Sequence, residues 1–491
     1  MRQRFEQQLN LGTHPISTVQ FSLKSRDELP AILRGLQYIF ITPSLNEKVF
    51  QLLEDTICKG KNKTGRKGMD LWHILVLAVV RHGLNTNWDR LEHMANQDAL
   101  IRKILGVHST AFQSVEFEFA YQSILDNVSQ IDDTLLEKIN QLVVESGHEL
   151  LKKKDQKKIE LEFKSDSYAL ETNVHFPTDL NLLWDSARKC LDTVALIKKE
   201  TSIKGWRKSK CIRKTFKSKF RVTSQQVFAG KNEKQKKVAV TEYLRQAREL
   251  QKRCEEIVKN VSTNTLKVAA LMVVLQHYID YVKKFSDQIE RRLLKGETIP
   301  TAEKIYSIFE PHTEWISKGK KHKPVELGHL LLITTDQHQF ICDYKIMTGE
   351  KDATQVKSLS DRLIEKFSHA DFTSHSFDKG FWSKDNLEAL TQSTVQHVVL
   401  PKRGKHNKED KERENDKTFK ALRNAHSAVE SNINMLEHHG LNRCMDKGLS
   451  GYKRCVGLSV LAYNLHILGN VLLAQERQKA RKEQSSLRQA A

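Results

Sequence analysis

The stretch IELEFKSDSYALETNVHFPTD, residues 159–179, alternates apolar and polar side chains in its first half. Ile159, Leu161 and Phe163 fall on one side of the chain, and Asp166 falls on the other. An alternation with a period of two residues is typical of a β-strand that has one face buried and the other exposed to solvent. The preceding chain has a helical repeat, so the pattern predicts that a sheet begins here and that Asp166 projects from its first strand.

More strands are predicted further along the chain. LGHLLLITTDQHQFICDYKIMTG, residues 327–349, contains two apolar runs separated by a polar turn, which predicts a β-hairpin. A helix over 353–367, a short strand ending at Phe377, a helix over 383–390 and a buried strand over 395–401 follow. Hairpin strands first and helix-linked strands afterwards predict a mixed α/β sheet.

Helical segments flank and interrupt this sheet. Residues 1–150 are predicted to form an all-α domain, in which 69–106 forms two helices joined by a short turn. This pair, after the basic loop at 59–68, fits either a helix-turn-helix DNA reader or a plain bundle with a solvated loop. Residues 186–300 are predicted to be a helical, basic insertion ending in two long amphipathic helices, and 476–491 a polar basic tail.

The bulk composition favours a polyanionic partner. The 491 residues include 80 Lys and Arg against 60 Asp and Glu, a formal net charge of +20. Nucleic acid is the first candidate for such a balance. Polar residues interrupt the longest apolar stretch, at 456–474, which predicts a helix buried in a globular domain and not a membrane span. The first residues lack an apolar signal core, so we expect a cytoplasmic protein.

Cysteine usage agrees with a reducing compartment. There are seven cysteines, an odd number, and no CxxC pair, so no disulfide framework is implied. His438, His439, Cys444 and Cys455 lie close in sequence, but their spacing does not match the usual zinc-ligand pattern. We expect packed or solvated side chains there.

Two more acidic residues lie in other kinds of local structure. Asp378, in SHSFDKGFWSKDN (374–386), follows a predicted strand, at the edge where ligands bind to open α/β sheets. Glu430, in NAHSAVESNINMLEHHGLNRC (424–444), lies on a predicted helix over 418–438, beside its apolar stripe. Taken singly, each acid has an ordinary explanation as a solvated or turn residue.

Together, the segments around the three acids resemble the DDE-type transposases of bacterial insertion sequences. The stretch AVESNINMLEHHGLNRC (428–444) is most similar to the group called ISNCY. The resemblance covers residues 160–190 and 305–470 well and 60–110 loosely. It is therefore a resemblance to a family and not to a single motif.

The resemblance implies an RNase H-like catalytic domain, a mixed five-stranded sheet with helices, formed by residues 151–185 and 301–475. In this family three carboxylates, here Asp166, Asp378 and Glu430, hold two Mg²⁺ ions, for which Mn²⁺ can substitute. A metal-bound water cuts the phosphodiester at each end of the element, and the resulting 3′ hydroxyl attacks target DNA. The implied protein is a nucleoid-associated bacterial enzyme that acts on inverted repeats in double-stranded DNA, as a dimer or larger assembly.

A dense basic run is the first candidate for DNA contact, with a solvated helix face as the alternative. Residues 198–221 contain eleven basic residues and one acid, interleaved with aromatic residues. The basic residues are Lys198, Lys199, Lys204, Arg207, Lys208, Lys210, Arg213, Lys214, Lys217, Lys219 and Arg221. Neutralising phosphates with such residues makes binding strongly salt-dependent.

At one point the sequence departs from the family pattern. Many related transposases have Tyr, Arg and Lys seven before, four before and seven after the catalytic Glu, whereas this chain has Arg423, His426 and Glu437. Arg423 and His426 are expected to contact DNA phosphate, and Glu437 is not. The departure concerns the formation of DNA hairpin ends, which some members of the family make. It does not affect the three carboxylates. Two alternatives stay open: an RNase H-fold nuclease that does not join DNA, and a non-catalytic DNA-binding relative.

Overall fold

The computed structural model describes residues 2–7, 14–60, 67–107, 117–153, 158–201, 203, 205–262, 265–317 and 324–490, the last four without side chains. The chain divides into two units, of which the second, Val174–Trp315, is continuous and interrupts the first, Met1–Asn173 with Ile316–Ala491. The predicted insertion, 186–300, lies within the second unit. The predicted N-terminal domain, 1–150, shares the first unit with most of the sheet.

A mixed sheet is built around β1 (Glu160–Thr172). This strand pairs antiparallel with β3 (Val325–Thr335) and parallel with β5 (Asp371–Phe377). β3 pairs antiparallel with β4 (Ile341–Met347), the predicted hairpin, and β5 pairs parallel with β6 (His397–Val399). The predicted order of hairpin strands followed by helix-linked strands is confirmed.

Two short strands extend this sheet beyond the five that were predicted. β2 (Glu314–Ser317) lies beside β3, and β7 (Arg443–Cys444) pairs with the end of β1. The described part of the sheet therefore has seven strands. Strands of four and two residues carry too little alternation to be recognised in a sequence.

Helices before the sheet form much of the core of the first unit. They are α1 (Leu29–Ile41), α2 (Pro43–Ile57), α3 (Leu71–Gly83), α4 (Trp88–Gln97), α5 (Ala99–Leu105), α6 (Tyr121–Val128) and α7 (Asp133–Leu151). The prediction of two helices over 69–106 was wrong, because three form there. Asp98 separates α4 from α5: its carboxylate accepts hydrogen bonds from the backbone N–H groups of Leu100 and Ile101, both 2.9 Å, as an N-cap.

Helices also follow the hairpin. They are α12 (Asp352–Lys366), α13 (Lys384–Thr391), α14 (Lys408–Asn415), α15 (Lys417–Ala425), α16 (Ala428–Leu436) and α17 (Gly448–Ala490). Among the described helices, one segment, Gly448–Ser486, is long and apolar enough to cross a membrane, and 83% of its most apolar window is buried inside the protein. It packs on α1, α3 and α7, which confirms the predicted buried helix.

The helix predicted over 418–438 is divided into α15 and α16. Around Ser427 the backbone bonds tighten to a three-residue spacing, from Val429 N–H to the His426 carbonyl and from Glu430 N–H to the Ser427 carbonyl. The predicted apolar stripe is broken at the same place, because Ala425 is exposed while Val429 is buried. Glu430 consequently lies in the first turn of a new helix.

The second unit is a helical bundle with its own apolar core. It contains α8 (Asp179–Glu200), α9 (Ser209–Ala229), α10 (Glu233–Asn260) and α11 (Leu266–Ile289), of which α10 and α11 pack together as the predicted helical pair. Trp206 and Phe216, which lie within the basic run, are 3% and 2% exposed. These two aromatic residues therefore belong to the core and are not available to stack on DNA bases.

Candidate active site

The sheet places Asp166 and Asp378 side by side. β1 and β5 are parallel, and Ser165 pairs with Phe377 in their register. The next residue on each chain is Asp166 and Asp378, and Asp378 continues in extended conformation. Neighbouring strands lie about 4.8 Å apart, so the two carboxylates start from adjacent backbone positions.

Glu430 approaches the same place from a helix. It lies in the first turn of α16, which packs against β1 and β3. The negative charge of Glu430, like that of Asp378, raises the pKa of Asp166. The structure therefore brings the three predicted acids together from a strand, a strand end and a helix.

The ionisation of Asp166 is strongly disfavoured. Burial is the largest cause, neighbouring carboxylates add to it, and together they raise the pKa of Asp166 to about 6. The backbone N–H of Ser167 donates a 2.7 Å hydrogen bond to Oδ1 of Asp166 and opposes the rise. A proton or a cation in the site relieves this repulsion.

Asp378 and Glu430 have exposed side chains with free oxygens. Neither carboxylate has a hydrogen-bond or ion-pair partner in the described ranges. Asp378 precedes a short 3₁₀ turn, Lys379–Phe381, yet its side chain makes no capping bond. The ordinary explanation of Asp378 as a turn residue therefore does not account for its carboxylate.

A fourth carboxylate was missed by sequence reasoning. Asp352, the first residue of α12, accepts a 2.7 Å hydrogen bond at Oδ1 from the Ser167 hydroxyl, and its charge also raises the pKa of Asp166. Gly380 lies close, because a Cβ there would be 3.2 Å from Oδ2 of Asp352. The sequence offered only an acid at the start of a predicted helix, which is common at helix N-termini.

His426 belongs to this site and not to the open surface. Its Nδ1 lies 2.9 Å from the hydroxyl of Ser376 on β5. Burial lowers the pKa of His426, although the charges of Asp378 and Glu430 act in the opposite direction. The ring is neutral near pH 7 and is therefore a weak partner for phosphate, whereas Arg423 is exposed.

A buried lysine lies on the same strand as Asp166. Lys164 is 8% exposed and precedes Asp166 by two residues, on the same face of β1. Its charge contributes to the lowered pKa of His426, which places it near that ring. The Lys164 charge therefore acts on the same ring as the charges of Asp378 and Glu430.

The donor chemistry of the acids fits Mg²⁺, which prefers carboxylate oxygen. In the described ranges, two groups of three residues bring potential ligand atoms within 4.8 Å of one another, and the triad is in neither.

The basic run lies in α8, α9 and the segment between them. Lys204 is outside the described residues. Arg213 forms an ion pair with Asp192, and Lys219 lies 3.6 Å from Glu242. The exposed members are Lys198, Lys199, Arg207, Lys208, Lys210, Lys214, Lys217 and Arg221.

Comparison with protein-family models, with curated proteins and with solved structures finds no match to this chain. Its class follows from its own architecture, an α/β protein with a mixed sheet and a helical unit inserted after the first long strand. Its most distinctive chemical feature is the group of carboxylates formed by Asp166 within β1, Asp378 directly after β5, and Glu430 on α16.

Proposed function

We propose that the protein is a DDE-type transposase that cuts and joins DNA at the terminal inverted repeats of an insertion sequence. The observation that carries this proposal is the placement of Asp166 on β1 beside Asp378, which directly follows the adjacent parallel strand β5, with the charge of Glu430 acting on Asp166. Crowded carboxylates repel one another and weaken a fold, so their convergence favours a cation-dependent function.

The sheet supports an RNase H-like catalytic domain. The antiparallel hairpin of β3 and β4 lies on one side of β1, and the helix-linked parallel strands β5 and β6 lie on the other. This mixed order is the one that the family resemblance implies. The insertion between β1 and β3 is compatible with it, because the second unit has its own core.

Asp166, Asp378 and Glu430 are the residues that would hold two Mg²⁺ ions. When bound, such ions supply an activated water and stabilise the leaving oxygen of a phosphodiester. The charges of both other acids act on Asp166, so these three residues would hold the ions together. Asp166 is partly buried, which restricts the orientation of its side chain. Asp378 and Glu430 are exposed, which leaves the site open to a DNA strand.

The remaining residues position the acids and bind the polyanion. Ser376 holds the His426 ring beside Asp378 and Glu430, and Lys164 provides a positive charge that does not depend on metal. The exposed cations of the basic run suit phosphate contacts along DNA. Because two DNA ends must be joined in one complex, the active form on DNA is a dimer or larger assembly.

The test is cleavage of a labelled DNA duplex that carries a short inverted repeat, to be identified in the DNA that flanks the gene. With Mg²⁺, the wild-type protein should nick the repeat end and join its 3′ hydroxyl to target DNA. Asp166→Asn, Asp378→Asn and Glu430→Gln should each abolish both steps and still bind the duplex. Asp361→Asn, at an exposed acid on α12, is the matched control and should keep full activity.

Three outcomes would contradict parts of the proposal. Substantial cleavage by one triad variant would remove that acid from the site. Cleavage without joining would identify a nuclease. Specific binding without either reaction, at every Mg²⁺ and Mn²⁺ concentration, would identify a non-catalytic DNA-binding protein.

A further inference from the structure

Two buried histidines face each other where α17 meets the turn after α16. His439 lies in the π-helical turn Glu437–Leu441, and His466 lies on α17. Their ring centroids are 5.7 Å apart and their planes are perpendicular. Glu28, at the N-terminus of α1, places a carboxylate oxygen 4.0 Å from Nδ1 of His439. One potential ligand atom from each residue lies within 4.8 Å of the other two.

His439 is held in the tautomer that binds metals. Its Nδ1 lies 2.6 Å from the carbonyl oxygen of Gly83, so this nitrogen carries the proton and donates the bond. The other nitrogen, Nε2, is buried and has no hydrogen-bond partner in the described structure. A ring N–H donated to a backbone carbonyl, with the second nitrogen free, is the arrangement of a metal-ligating histidine.

His466 also has a ring nitrogen without a partner. The residue is 8% exposed, and its Nδ1 is buried with no hydrogen bond to the described residues. Burial lowers the pKa of His439 and lowers the pKa of His466 to about 4, so both rings are neutral near pH 7. Native proteins rarely leave buried polar atoms unpaired, and a bound ion would satisfy these two nitrogens.

The backbone around His439 is fixed. Gly440 has a φ of +89°, and a Cβ there would lie 2.7 Å from Oδ1 of Asn85, so glycine is required. The hydroxyl of Ser459 donates a 3.1 Å hydrogen bond to the carbonyl oxygen of His439. A rigid backbone holds a ligand in place before the ion arrives.

We propose that Glu28, His439 and His466 bind a divalent transition-metal ion, with zinc as the best fit. Two imidazoles and a carboxylate form a donor set that zinc accepts, whereas the all-carboxylate triad suits magnesium. Zinc bonds are about 2 Å long, and Glu28 lies 4.0 Å from Nδ1 of His439, whereas the free nitrogen of that ring is Nε2, so the carboxylate must move both closer and toward Nε2. Glu28 can provide that movement, because its side chain is partly exposed and makes no other hydrogen bond or ion pair with the described residues.

The ion would connect parts of the chain that are far apart in sequence. It would join the start of α1, the turn at Glu437–Leu441 and α17, all within the first unit. The turn follows directly on α16, the helix that carries Glu430. The proposal does not depend on the DNA chemistry.

The test uses the full-length protein freed of metal and titrated with Co²⁺, a spectroscopic substitute for zinc. The wild type should bind one equivalent with visible absorption bands, which Zn²⁺ abolishes by displacement and excess Mg²⁺ does not. Glu28→Gln and His466→Gln should weaken Co²⁺ binding at least about tenfold. His438→Gln, at an exposed neighbouring histidine, is the matched control and should bind normally.

Two further measurements separate this site from the triad and from misfolding. Asp166→Asn should keep the full Co²⁺ spectrum, which excludes the carboxylate site as the source. Zn²⁺ should raise the melting temperature of the wild type and not that of Glu28→Gln, whose partly exposed position makes misfolding a poor explanation. Absence of one-equivalent binding in the wild type, or unchanged affinity in folded Glu28→Gln, would overturn the proposal.

Discussion

The hydroxyl of Ser167 donates a 2.7 Å hydrogen bond to Oδ1 of Asp352 and so ties β1, next to Asp166, to the first turn of α12. The charge of Asp352 also reaches Asp166, whose pKa it raises. A strand and a helix that are far apart in sequence are thereby joined at the point where the acids converge. Asp352 is best described as a positioning residue that also adds negative charge.

Asp352→Asn should weaken the response to Mg²⁺ without abolishing cleavage. Asn keeps an oxygen for the Ser167 hydroxyl but removes a negative charge that attracts cations. The Mg²⁺ concentration for half-maximal cleavage should rise roughly three- to tenfold, equivalent to about 1 kcal/mol, with a smaller change in rate at saturation. A Mg²⁺ titration of nicking measures this, with Asp361→Asn as control. A complete loss of cleavage would make Asp352 a metal ligand instead.

The raised pKa of Asp166 predicts how stability changes with pH. Burial raises this pKa from 3.8 to about 6, so the folded state disfavours the ionised carboxylate. The wild type therefore loses stability as pH rises from about 4 to 6, and the full loss persists above 6. Without divalent ions, Asp166→Asn should be more stable than the wild type by roughly 1–3 kcal/mol at pH 8. Urea unfolding should show this difference vanishing below pH 4, and an equal difference at both pH values would contradict it.

The same group predicts competition between protons and metal. Below pH 6, Asp166 holds a proton, and metal must displace it. At subsaturating Mg²⁺, cleavage should fall by up to about tenfold per pH unit below 6, because one proton is displaced. Raising the Mg²⁺ concentration should move this limb of the pH–rate profile to lower pH. A profile that is flat between pH 5 and 7 at low Mg²⁺ would show that Asp166 does not bind the ion.

Exposed lysines of the basic run should contribute to DNA affinity without sequence preference. Changing Lys208, Lys214 and Lys217 together to Ala should weaken binding to all duplexes alike. The slope of log affinity against log salt should fall by up to about three, one for each phosphate that the variant no longer neutralises. Fluorescence anisotropy across a salt series measures both effects.

The matched control for this experiment removes the same charge elsewhere in the second unit. Lys231, Lys234 and Lys237 are exposed and lie outside the basic run. Changing these three to Ala should alter the salt slope much less. Equal effects of the two triple variants would mean that net charge, and not the basic run, governs binding.

The buried pair of His148 and Asp336 should be important for stability. Both side chains are fully buried, with Nε2 of His148 2.6 Å from Oδ2 of Asp336. Asp336 also accepts the backbone N–H groups of His338 and Phe340 in the turn between β3 and β4. Asp336→Ala should destabilise the fold by about 3–5 kcal/mol, because buried donors lose their partner. Asp361→Ala should change urea stability by less than about 0.5 kcal/mol, and a similar small effect at Asp336 would contradict the expectation.

Local pattern was sufficient wherever a segment makes its own contacts. The alternation before Asp166 identified β1, the polar turn at 336–339 identified the hairpin, and the apolar stretch at 456–474 identified a core helix. Such features depend on apolar residues that recur every 2 or 3.6 positions and on turn-forming residues. Both signals lie within a short run of consecutive residues. The sequence also placed Asp166 on a strand and Asp378 after one, but it was the family resemblance that singled out these two acids and Glu430.

The tertiary structure decided which of these residues meet. The parallel register of β1 and β5 places Asp166 beside Asp378, and a hydrogen bond between β1 and α12 adds Asp352. Long-range packing likewise brings His439 to Glu28. These contacts arise when segments that are distant in sequence pair with each other. Which segments pair depends on how completely their apolar faces are buried, and not on any local repeat. For the same reason a single sequence indicates the kinds of elements present but not the side chains that share a site.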